Sequence, residues 1–137
     1  MSEAIQVTPA YSAVFALLFF VLSLRTIRMR RRFGVGVGHG NQSLLERAAR
    51  AHANFAEYVP LTLLLIFFAE LQSASAWVIH GLCVALLAGR LSHAYGVSQP
   101  EENYAFRVTG MAMTFTVLLT AAVSVLWHSG ARVVAQS

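Results

Sequence analysis

A chain of 137 residues holds one domain, and its makeup excludes an ordinary soluble one. It is 57% hydrophobic and 12% charged, where soluble domains are about 25% charged. Lysine and aspartate are absent, so the 10 basic residues are all arginine, against 6 glutamates and a net charge of +4. That excess argues for no nucleic-acid partner. Arg25, Arg28, Arg30, Arg31 and Arg32 crowd one end of an apolar run, where membrane topology accounts for them.

The first apolar run extends from about Thr8 to Leu24, with no charge between Glu3 and Arg25. About 20 apolar residues cross the hydrocarbon of a bilayer, so helix one is expected at about 8–30. No basic segment precedes it, which separates it from a signal peptide. The arginines that close it are expected to continue the helix and snorkel to lipid phosphates. Phe33 to Asn41 alternates glycine with other residues and reads as a flexible loop. It lacks the strand and the Gly-Lys-Ser/Thr of a nucleotide-binding loop.

Helix two is expected at about 42–71. Asn41 or Ser43 suits its N-cap, and Ser43 with Glu46 fits a capping box. At about 100° per residue, Arg47, Arg50, Asn54 and Glu57 fall within an arc of about 80°. Ala48, Ala49, Ala51, Ala53 and Ala56 fill most of the space between them and let neighbouring helices approach. A polar stripe running into a membrane-grade apolar segment is costly unless it faces a partner or a water-filled cavity. Pro60, where stripe meets span, predicts a kink. Glu70 and Gln72 mark the far interface.

The short connection Gln72-Ser73-Ala74-Ser75 makes helices two and three an antiparallel hairpin. Helix three, at about 76–95, begins with the interfacial anchor Trp77. His80 reads as interfacial or packed, and the single cysteine, Cys83, as a small buried hydrophobe. Arg90 and His93 share a face near the other end, followed by Tyr95. A polar loop with Pro100, Glu101 and Glu102 leads to helix four, at about 104–128. That helix carries Arg107 in its first turns, Gly110 and Ala112 for close packing, and Trp127 and His128 at its far end.

The chain thus reads as an all-α, integral membrane four-helix bundle. The loops after helices one and three carry nearly all the arginines. They are therefore cytoplasmic, and both termini lie on the non-cytoplasmic side. This topology gathers Arg47, Arg50, Asn54, Glu57, Arg90, His93, Tyr95 and Arg107 at one face. There is no Ser-His-Asp set, no carboxylate pair at catalytic spacing and no metal-ligand pattern. What remains is an arginine-rich pocket with one carboxylate and one amide, suited to a small, mostly anionic ligand with carboxylates, an ammonium and peptide bonds. Glutathione has all of these. Arginines would hold its carboxylates, Glu57 its ammonium and Asn54 its amide backbone. The alternative is a set of ion pairs and lipid-headgroup contacts at an ordinary interface.

The run Glu46-Arg47-Ala48-Ala49-Arg50-Ala51-His52-Ala53-Asn54-Phe55-Ala56-Glu57-Tyr58-Val59-Pro60 resembles the helix-two signature of the membrane-associated proteins in eicosanoid and glutathione metabolism. Gly89-Arg90-Leu91-Ser92-His93-Ala94-Tyr95-Gly96 is similar to that family's helix-three end, and Phe106-Arg107 to the start of its helix four. The resemblance covers about residues 44–127. It implies a homotrimer with glutathione between subunits near the cytoplasmic face, here in a bacterial inner membrane. It implies glutathione contacts from Arg50, Asn54, Glu57, Tyr58, Arg90 and His93. Tyr95 answers to a helix-three tyrosine, and Arg107 to the arginine that activates the thiol. The expected activity is transfer of glutathione to a hydrophobic electrophile or lipid from the bilayer, or reduction of it. A non-catalytic lipid-binding or scaffold protein of the same fold is the alternative. A small transporter is disfavoured by the lack of an internal repeat.

Overall fold

The computed structural model describes residues 7–136, with side chains through residue 131. Glu3, Ser137 and the side chain of Arg132 lie outside the described residues. Four helices make up the chain: α1 (Val7–Phe33), α2 (Ser43–Leu71), α3 (Ala76–Ser98) and α4 (Tyr104–Gln136). Each is long and apolar enough to cross a membrane. The shortest, α3, has 23 residues and spans about 35 Å at 1.5 Å per residue.

Neighbouring helices run antiparallel, and side chains lock both ends. At one end the Glu70 carboxylate accepts from the backbone N–H of Val7 at 2.8 Å and of Thr8 at 2.9 Å. A residue expected only to mark an interface therefore caps the exposed donors of α1. At the same end Gln72 donates to Ser129 of α4 at 2.8 Å. At the other end Arg25 of α1 donates to Ser98 of α3, and Arg30 folds the glycine-rich loop by donating to the carbonyls of Gly36 and Gly38.

The helix ends differ from expectation in three places. Ser43 is already the first residue of α2. The N-cap is Gln42, with no side-chain cap bond, so the capping box is not formed. Asn41 instead takes a positive φ in the turn before it. α3 continues past Tyr95 and through Gly96, where a Cβ would lie 2.6 Å from the Arg107 nitrogen. The glycine there permits contact with α4 and does not end the helix. α4 continues past His128 to Gln136. Its start is capped by Asn103, whose Oδ1 accepts from Phe106 N at 3.3 Å. α2 continues unbroken through Pro60.

The core is one apolar seam including Phe15, Phe55, Ile66, Ile79, Cys83, Leu86 and Val117. Large apolar side chains also face outward, among them Leu17, Phe20 and Val21 on α1 and Leu119, Val123 and Leu126 on α4. A soluble protein would bury such faces, whereas hydrocarbon solvates them. The tightest helix contact is between α3 and α4, where Gly110 faces Gly89. A Cβ on Gly110 would stand 2.5 Å from both Gly89 O and His93 N. Backbone therefore meets backbone, which draws the His93 turn of α3 onto the first turns of α4.

Candidate functional site

The end of the bundle that joins the start of α2, the end of α3 and the start of α4 holds a partly open cavity of about 280 Å³. Ligand pockets span about 300–1,000 Å³, and this one lies at the small end of that scale. Of the residues expected to converge, Arg47, Arg50, Asn54, Glu57, His93 and Arg107 line it. None of the five arginines at the end of α1 does.

Three expected residues stand elsewhere. Arg90 is 1% exposed and sits behind the wall. Its guanidinium donates to Asn54 Oδ1 on α2 and, at 3.0 Å, to Thr114 Oγ1 on α4. It ties three helices together and does not border the cavity. Tyr58, half-buried, meets Phe115 edge-on with ring centres 5.4 Å apart. Tyr95 is exposed and meets Phe106 in the same way at 5.2 Å. Neither tyrosine lines the cavity of the single chain.

The Arg90 bond determines what Asn54 offers. Arginine only donates, so the Asn54 oxygen must face it. Asn54 also lines the cavity, so what it has left to offer a ligand is its amide nitrogen, a donor for a carbonyl or carboxylate oxygen. His93 is buried in the wall and its Nδ1 has no hydrogen-bond partner among the described residues. Arg47 reaches across the end of α3 to Val97 O at 3.4 Å.

The charge differs from expectation. Glu46 and Glu102 join Glu57, so three carboxylates face three arginines, with Ser43 and Val97 completing the wall. The cavity is thus balanced in formal charge, where an arginine-rich pocket with one carboxylate was expected. Glu46 and Ser43 extend the same helical arc as Arg47, Arg50, Asn54 and Glu57. That arc carried the signal, but the capping box claimed both residues. Glu102 lies in a loop, where no periodicity signals direction. Its carboxylate pairs with Arg107 at 2.6 Å.

A second polar pair, Ser23 and His52, carries no such chemistry. Ser23 Oγ donates to Phe19 O at 2.8 Å, so it accepts from His52 Nε2 at 3.0 Å. A serine with its proton on a backbone carbonyl is not poised as a nucleophile.

Four membrane-length helices with a charged cavity at one end define an integral membrane protein. The chain belongs to the MAPEG family, whose model matches residues 8–127. That family includes glutathione transferases. The chain is similar to the inner membrane protein YecN from Escherichia coli strain K12 and from the O6:H1 strain. Each is 35% identical over 122 residues, covering 89% of this chain and 92% of the relative.

Proposed function

We propose that the protein is a glutathione-dependent membrane enzyme. It binds glutathione in the cavity, holds it as the thiolate, and transfers it to a hydrophobic electrophile from the bilayer or uses it to reduce one. The observation that carries this reading is that three arginines and three glutamates line one cavity together with Asn54. A nucleotide, with several negative charges and no positive one, suits such a balanced wall poorly. A small peptide with two carboxylates and an ammonium suits it well. Arg47 and Arg50 take the carboxylates, Glu57 the ammonium, and Asn54 a peptide carbonyl.

Arg107 meets the sulfur. A free thiol has a pKa near 8.5, and lowering it by about two units takes roughly 2.7 kcal/mol of preferential thiolate stabilisation. A cation beside the sulfur in a partly desolvated site supplies an effect of that size. Arg50 and Glu57 are exposed on the single chain. In a homotrimer a neighbouring subunit closes that side and adds the groove by which the lipid-borne substrate arrives. Similarity to an inner membrane protein supports an inner-membrane location, and the arginine bias supports cytoplasmic loops after α1 and α3.

The test is thiolate ultraviolet absorbance on mixing purified protein with glutathione. A reversible signal is expected from the wild type. Arg107→Ala is expected to bind glutathione and give little thiolate, and equal thiolate yield would remove Arg107 from this role. Absence of binding to the wild type would favour the lipid-binding or scaffold reading.

A further inference from the structure

We propose that Glu102 holds the anion seat of Arg107 in the ligand-free site, and that glutathione thiolate takes the seat by displacing it. This deepens the proposed function and rests on it. Glu102 belongs to the loop between α3 and α4, yet its side chain is only 15% exposed and turns into the cavity wall, against 43% for Arg107. The backbone sets that direction. Asn103 N donates to Gly96 O at 3.1 Å, and Asn103 then caps α4. Glu102, one residue earlier, is held over the first turn of the helix, where the partial positive charge of the helix end also favours a carboxylate.

The contact is one Oε on one Nη. It matches in charge what a thiolate would bring, so the exchange replaces one anion by another. While Glu102 stays, the Arg107 cation is compensated and stabilises a thiolate weakly. Once Glu102 leaves, the full cation faces the sulfur. The other charged or titratable groups of the wall are Arg47, Arg50, Glu46, Glu57 and His93. They belong to α2 and α3, and this exchange requires no change at them. A specificity follows. A lone thiol must displace Glu102 unaided, whereas glutathione is first anchored at α2 and delivers its sulfur at high effective concentration. Glu102 thereby selects thiols that carry the peptide.

The experiment compares the full-length wild type with Glu102→Gln, which keeps the side-chain shape and removes the charge. The apparent thiol pKa of bound glutathione is expected to fall by about one unit in the variant. Glutathione affinity at neutral pH should rise about tenfold. S-methylglutathione, which has no thiol to ionise, should bind both proteins equally. A raised thiol pKa or weaker glutathione binding in the variant would overturn the proposal, since Glu102 would then be supporting the ligand. Labelling of Arg107 by phenylglyoxal without ligand, read by mass spectrometry, should be faster in the variant, and equal rates would likewise overturn it. Were glutathione to bind neither protein, the proposed function would fall and the displacement with it. Faster labelling would still establish the Glu102–Arg107 contact apart from that failure.

Discussion

Arg90 and Arg50 lie on adjacent helices and are both arginines, yet they hold different positions. Arg90 is buried and donates to Asn54 and Thr114, while Arg50 stands exposed on the cavity rim. Arg90→Leu leaves a polar oxygen of Asn54 without its partner inside the bundle, at a cost of about 1–3 kcal/mol. It also frees the Asn54 amide to rotate away from the cavity. Lower thermal stability in detergent and weaker glutathione binding are expected together. Arg50→Ala touches only the rim, so stability should stay within about 0.5 kcal/mol. Binding should weaken about 10- to 100-fold, the value of a hydrogen bond to a charged group. A thermal-melt series run beside calorimetric titration separates the two. Equal effects on stability would show that burial does not distinguish them.

At the scale of elements, the contact of α3 with α4 governs the site, because it positions His93 and Arg107 relative to each other. Gly110→Ala tests it. The added Cβ would meet two backbone atoms, Gly89 O and His93 N, at 2.5 Å, and neither can rotate away as a side chain would. The helices must separate, at a cost of about 1–3 kcal/mol. Glutathione binding should fall although no cavity residue has changed. Unaltered stability and binding would mean that the two helices tolerate a wider spacing.

The four spans were legible in the sequence because each is an unbroken apolar run, and the α2 stripe because helical geometry puts its residues on one arc. What was not legible depended on contacts between elements. Gly96 read as a helix end, since its reason for being glycine lies on α4. Arg90 read as a ligand contact, since on a helix wheel it shares the face of His93, and only packing shows that its two terminal nitrogens go to Thr114 and Asn54. Glu102 gave no signal, since a loop has no period from which to infer direction. Glu70 read as an interface marker because the donors it caps belong to α1.

For the whole molecule, the charge asymmetry and the cavity coincide. The end that carries Arg25 to Arg32, Arg47, Arg50 and Arg107 is also the end where the cavity opens. Basic loops are retained in the cytoplasm, and the cytoplasm is where glutathione is kept as the free thiol. Sidedness is therefore a test of function as well as of topology. A Cys83→Ala background removes the native thiol, which is buried. Val37 in the loop after α1 is 93% exposed, and Trp77 at the start of α3 is 86% exposed at the opposite end. In intact spheroplasts a membrane-impermeant maleimide should label Trp77→Cys, and should label Val37→Cys only after lysis. The reverse pattern would open the cavity to the periplasm, away from the reduced glutathione pool. It would leave the proposed glutathione site without its cosubstrate.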